Sequence, residues 1–237
     1  LTVVDLGRDV TNMLTPSAMS SNPKSGESLT EHEPHSLILA CDFTVDSIDR
    51  MWRWIQEQQE ALASIGTRHL VIYTSLWEPG RIFVTTGIRQ QQPIRRILQS
   101  PKLFEWFDVS GVADVPPIFG GEVVEKIDFV DAASPRPDGA VVLGVISSVA
   151  DVTALVERVR RAASHFRSAG VRKVWIYRAF DDGREVMILE EIDSEASVRK
   201  WIDKPDAAAE WMTQAGLGAY PPMFVGTVAH VMTVGSS

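Results

Sequence analysis

The chain has 237 residues, 45% of them hydrophobic and 23% charged, the balance of an ordinary globular protein. A net charge of −8 argues against a nucleic-acid or anionic-membrane partner, since both require a basic face. The single cysteine, Cys41, excludes an intrachain disulfide framework and a cysteine-based metal cluster, and no apolar run is long enough for a membrane-spanning helix.

Residues 1–34 are rich in Ser, Thr, Pro and Glu without a sustained period, and read as a mobile N-terminal tail. They lack the continuous apolar core of a signal peptide, so a cytoplasmic location is the expectation. From residue 35 the pattern changes. Leu37 to Cys41 is a short apolar run with the look of a strand buried on both faces. Thr44 to Ser47 supplies helix-capping residues. Ile48, Met51, Trp52, Ile55 and Leu62 then recur at steps of three and four, which predicts one amphipathic helix ended by Gly66. Leu70–Leu76 and Ile82–Ile88 read as a hairpin around the Pro79-Gly80 turn. A helical segment follows from about Gln92, restarting at Ser100-Pro101, and Gly121–Phe129 reads as a fourth strand. Asp131 to Gly139 has the composition of a linker.

Residues 140–237 repeat this order. Ala140–Ile146 is a strand, and Ser148 to Asp151 resembles a capping box. Val152, Leu155, Val156, Val159 and Phe166 form a helical stripe. Val174–Phe180 and Glu185–Ile192 flank an Asp-Asp-Gly turn, helical stretches cover 194–203 and 205–215, and Phe224–Val234 is the last strand. The two halves also share residues. Gly66-Thr-Arg-His-Leu-Val-Ile-Tyr73 returns as Gly170-Val-Arg-Lys-Val-Trp-Ile-Tyr177, a shift of 104. Leu39 falls on Leu143, Val45 on Val149, and Pro116-Pro-Ile-Phe119 on Pro221-Pro-Met-Phe224. The chain therefore reads as an internal duplication, with repeats at 35–130 and 140–237 joined by linker 131–139.

Each repeat is β-α-β-β-α-β, the ferredoxin-like split βαβ unit, with its helices on one face of an antiparallel sheet. Strands such as Val174-Trp-Ile-Tyr177 are apolar on both faces, so the bare face also needs a cover. The other repeat's sheet provides it. The expected fold class is α+β: two ferredoxin-like repeats packed sheet to sheet as a pseudo-twofold barrel.

This element order, its tandem copy, and Ser100-Pro101 followed by Phe104 and Trp106 resemble the dimeric α+β barrel superfamily over about residues 36–234. Antibiotic-biosynthesis-type and haem-degrading monooxygenases belong to that superfamily, and chlorite dismutase relatives also carry two such units in one chain. The resemblance implies a cavity between sheet and helices. The haem-degrading branch places its iron-ligating His late in the second helix. Here 102–107 and 206–211 contain none, so no cofactor is expected from that branch.

Several residues are candidates for chemistry. His230, flanked by apolar residues in the last strand, would titrate near neutrality as base or ligand, or be a satisfied core His. Asp42 is a carboxylate in an apolar strand, either at a sheet end or functional. Tyr73 and Tyr177 occupy equivalent strand positions and either pack or orient a polar ligand. Trp54 and Trp77, without counterparts in the second half, line an aromatic pocket or simply pack. Arg81 and Arg184 recur after the hairpin glycines. His69 and its counterpart Lys173 read as surface strand ends, and His165 as a helix-flank residue. No metal-ligand spacing appears. The expected partner is a small apolar or aromatic molecule. A cofactor-independent monooxygenase-like enzyme, a non-catalytic ligand-binding or interaction protein, and a haem protein of the chlorite-dismutase kind all remain open. So do a monomer with an internal pseudo-dimer and a homodimer.

Overall fold

The structure, a computed structural model, describes residues 37–89, 108, 112, 116–131, 134–202, 212–214, 216–217 and 222–234. The expected tail and most of each repeat's second helical segment lie outside these residues. The first half comprises β1 (Leu37–Thr44), α1 (Ile48–Glu57), α2 (Gln59–Ser64), β2 (Thr67–Ser75), β3 (Arg81–Ile88) and β4 (Ile118–Asp128). The second comprises β5 (Val141–Ser148), α3 (Val152–Arg161), α4 (Ala163–Ser168), β6 (Val171–Ala179), β7 (Glu185–Ile192), α5 (Glu195–Ile202) and β8 (Met223–Thr233).

The eight strands of the described residues close into one antiparallel barrel in the order β1-β3-β2-β8-β5-β7-β6-β4. Each half has the ferredoxin-like strand order, and the halves meet along two seams, β2 with β8 and β4 with β6. The registers superimpose at the shift read from sequence. Thr86 lies between Leu39 and Leu70, and Glu190 lies between Leu143 and Val174.

The helices begin where polar side chains replace missing backbone partners. Ser47 accepts from the Arg50 amide at 3.3 Å. Asp151 accepts from the amides of Thr153 and Ala154 at 2.7 and 3.1 Å, so Asp151 is the N-cap, while Ser148 ends β5. The single helix expected in each half is broken, at Gln58 and at Ala162. The break re-aims the last turn, and Leu62 and Phe166 still pack on their own sheets. Gly66 and Gly170 then end the helices at φ of +82° and +83°, as expected of left-handed caps.

Three apolar layers result. One fills the barrel around Tyr73, Phe83, Phe119, Trp175, Tyr177 and Phe224. The other two lie between each sheet and its helices, around Met51, Ile55 and Ile72 in the first half and Leu155, Phe166 and Ile176 in the second. Burial on both faces explains why these strands are apolar throughout.

The seams depend on two glycines at equivalent positions. A Cβ on Gly121 would lie 2.5 Å from the Arg178 carbonyl oxygen, and one on Gly226 2.3 Å from that of Thr74. The rings of Phe119 and Phe224 cover these glycines from the barrel side. Beyond the seams β4 and β8 reach the opposite half. Glu125 accepts from Arg160 of α3 at 2.6 Å, and His230 stacks on Trp52 of α1. No helix among the described residues is long and apolar enough to cross a membrane.

Candidate functional site

Asp42 faces the barrel at the end where β1 finishes and β3 begins. Arg81 donates to its two carboxylate oxygens, at 2.9 Å through Nε and 2.6 Å through Nη2. Arg81 also pairs with Glu78, donates to the Met223 carbonyl at 3.3 Å, and lies 5.6 Å from the Phe224 ring centroid. The Asp42 carboxylate raises the Arg81 pKa further. Asp42 is thus a partly exposed ion-pair member at the barrel mouth. Arg184 is not the counterpart of Arg81. Val45 N donates to Gly80 O and Val149 N to Arg184 O, so Arg184 stands where Gly80 does and is exposed. The counterpart of Arg81 in the second half is Glu185, whose carboxyl is pushed up by burial and by Asp181 and Asp182. Trp77 lies on the nearby hairpin, 41% exposed, with the Arg199 guanidinium of α5 5.4 Å from its ring centroid.

Tyr73 and Tyr177 both point into the barrel and are 3% exposed. Burial pushes the Tyr73 hydroxyl up to about 12, against a hydrogen bond with Thr85. Burial also raises Tyr177, and the neighbouring Tyr73 adds to it. At the opposite barrel end, His69 and Lys173 face inward rather than to the surface. They share the face of Val71 and Tyr73 and of Trp175 and Tyr177, and the β-bulges at the starts of β2 and β6 precede them. A Cβ on Gly87 would meet the His69 ring at 2.1 Å, and Lys173 is buried opposite Glu191. Glu191 is 2% exposed and pairs with Arg172 at 3.3 Å and Arg136 at 3.6 Å. Arg172 also donates to the carbonyls of Ser134 and Pro135, which straps the linker across this end.

His230 is on the other face of the sheet from Asp42. It stacks flat on Trp52, centroids 4.5 Å apart, and burial lowers its pKa while Asp49 opposes the shift. Trp54 packs in the same layer beneath α1. His230 and Trp54 therefore share one region, while Asp42, Trp77 and the tyrosines lie elsewhere. His165 is exposed on α4 with its ring tilted against Trp201. Haem needs an axial His facing an open apolar face. His165, His230 and His69 are engaged with Trp201, Trp52 and Gly87 respectively, and do not fit that role.

One ionisable group was not singled out from sequence. Glu190 lies on the helix-facing side of β7, 6% exposed, with Ile188 and Ile192 before and after it on the same face. Leu143 and Val174 flank it in register. The surrounding layer contains Phe166, Val198, Trp201 and Met212. Its Oε2 is buried with no hydrogen-bond partner. Burial alone pushes its carboxyl up to about 7. The sequence signal was available: Glu190-Glu191 interrupts a strand otherwise apolar on both faces, at positions held by Thr86-Gly87 in the first half.

No protein-family model matches the chain, and no curated protein matches it in sequence. Solved structures do share its shape. An anthrone oxidase-like protein aligns over 86% of this chain and 94% of its own, with a TM-score of 0.60 and 14% identity. A candidate monooxygenase from Fusobacterium nucleatum covers 86% and 97%, with a TM-score of 0.53 and 12% identity. A candidate chlorite dismutase covers 83% and 95%, with a TM-score of 0.51 and 16% identity. At such identities the likeness establishes the fold and leaves activity to the site itself. The chain shares with these structures an α+β barrel fold, with both ferredoxin-like halves of the barrel in one polypeptide.

Proposed function

We propose that this protein binds a small apolar or aromatic molecule in the helix-covered layer of its second sheet, and acts on it as a cofactor-independent, monooxygenase-like enzyme. One observation carries the reading. Among the described residues, the apolar layer around Phe166 and Trp201 holds one buried carboxyl, Glu190, with an oxygen left without a hydrogen-bond partner. An unsatisfied buried polar atom costs about 1–3 kcal/mol, and a lone polar group among apolar side chains is how small-molecule sites orient what they bind. The barrel interior supports the reading less well, because six large aromatic side chains fill it: Tyr73, Phe83, Phe119, Trp175, Tyr177 and Phe224.

The test uses anthrone, the compound in the name of one structural neighbour. Purified protein in air-saturated buffer is mixed with anthrone, and dioxygen uptake and quenching of tryptophan emission are followed together. Saturable quenching with protein-dependent uptake is expected. Quenching without uptake would favour a non-catalytic ligand-binding protein. Neither signal, with anthrone or with simple substituted benzenes, would sink the proposal.

A further inference from the structure

We propose that Glu190 is the proton acceptor of this site, that its ligand class is a weakly acidic aromatic hydroxyl compound or enol, and that only the second half of the chain carries the function. The inference rests on the small-molecule reading above and assigns that site its chemistry.

Glu190 and Glu191 are consecutive in β7, both buried, and point to opposite faces. Glu191 faces Arg172 at 3.3 Å and Arg136 at 3.6 Å, the usual provision for a structural carboxylate removed from water. Both glutamates have an Oε2 without a hydrogen bond, but among the described residues Glu190 has no cationic partner at all. β5 carries no charged residue, and in β6 Arg172 and Lys173 lie opposite Glu191 while Arg178 is exposed. On α3, Glu157, Arg160 and Arg161 are exposed, and Arg158 is directed to Gln214. On α4, His165 is exposed against Trp201, and Arg167 donates to the Phe129 carbonyl. On α5, Arg199 binds Glu195 and Lys200 is exposed. The raised carboxyl of Glu190 accordingly has burial as its one cause.

The first half shows that the fold does not require a carboxyl here. Thr86 occupies the same position, between Leu39 and Leu70. An alcohol serves the architecture, so the carboxyl is an addition specific to the second half.

The free oxygen also selects the ligand. An ammonium group would need several acceptors, whereas a neutral O–H needs one. On binding, the substrate O–H bond breaks and its electron pair stays on the substrate oxygen. The proton forms an O–H bond on Glu190 Oε2. One negative charge enters the step and one leaves it, now delocalised into an aromatic system that the apolar layer tolerates better than a localised carboxylate.

The test compares 4-nitrophenol, whose solution pKa lies close to neutrality, with 4-nitroanisole, its methyl ether without a transferable proton. Binding to the full chain is followed from pH 5 to 9 by calorimetry. The wild type should bind 4-nitrophenol most tightly near neutrality, weakening on both sides as the shared proton is doubled or lost. Glu190→Gln, and Glu190→Thr as the residue the first half already accommodates, should lose the acidic limb and weaken about tenfold at neutrality. Both variants should keep their affinity for 4-nitroanisole. Unchanged 4-nitrophenol affinity and pH profile in both variants would overturn the role of Glu190 while leaving the binding site in place. Failure of the wild type to bind either compound would overturn the small-molecule reading itself, and this inference with it.

Discussion

Replacing Glu190 by Gln removes an ionisation without removing volume, and the structure fixes both the sign and the size of the result. Burial raises the carboxyl from 4.5 to about 7 in the folded state. Below pH 4.5 the group is protonated folded or unfolded and contributes no pH dependence. Between 4.5 and 7 the native state holds a proton that the unfolded chain has released. Stability therefore falls as pH rises through this window, and the loss is complete above 7. A displacement of 2.5 units at about 1.4 kcal/mol per unit gives about 3 kcal/mol. Glutamine does not titrate, so the variant escapes this loss. Urea unfolding of both proteins at pH 4.5, 6 and 8 isolates the effect, because all other titrating groups are common to the pair. The stability difference should move in favour of Glu190→Gln by about 3 kcal/mol from pH 4.5 to 8, with m-values unchanged. Parallel pH profiles would refute the reasoning, since they would mean that Glu190 titrates alike in the folded and unfolded chain.

Gly226→Ala and Gly121→Ala should each cost more than about 2 kcal/mol, read by thermal or urea unfolding. The new methyl meets a backbone carbonyl across the seam, which cannot turn aside as a side-chain end can. Arg172→Met should cost about 3 kcal/mol, because it leaves buried Glu191 short of a partner, and it should speed proteolysis within 131–139 by releasing the Ser134 and Pro135 carbonyls. Of the three tyrosines in the sequence, Tyr73 and Tyr177 should stay protonated to about pH 12 while the protein is folded, and ionise together on unfolding. An ultraviolet titration showing either phenolate near pH 10 in the native protein would contradict their burial.

The architecture was legible because it rests on period and burial. A strand such as Val174–Tyr177 with no polar face can only lie between two apolar layers, and the tandem copy supplies the second one. Chain reversals were equally readable, since Gly66 and Gly170 adopt the backbone their residue type permits. Facing within the strands was less readable. His69 and Lys173 look like surface strand ends, yet each shares the inward face of the residues two and four places on, Val71 and Tyr73 or Trp175 and Tyr177. The pairing of Arg81 with Arg184 failed for a related reason. Turn residues such as Gly-Arg recur easily, and only the hydrogen bonds of Val45 and Val149 show that Arg184 corresponds to Gly80. Glu190 escaped notice because a strand's two faces cannot be told apart when both are apolar. Only the ion pairs on the barrel side show that, among the described residues, one of the two adjacent glutamates has cationic partners and the other has none.

Holding both halves in one polypeptide removes a restriction that a homodimeric barrel cannot avoid. In a homodimer every substitution appears twice, and a costly buried charge is incurred twice. Here the register positions have diverged separately. Arg81 corresponds to Glu185, His69 to Lys173, Gly87 to Glu191 and Thr86 to Glu190. Apolar and glycine positions that close the seams have stayed alike, as Gly121 with Gly226 and Phe119 with Phe224 show. The divergence falls on polar positions at the barrel ends and beneath the helices, where chemistry would be placed. An unpartnered carboxyl lowers stability above about pH 5 by the linkage worked out above. The chain carries that cost in one half, while Thr86 spares the other.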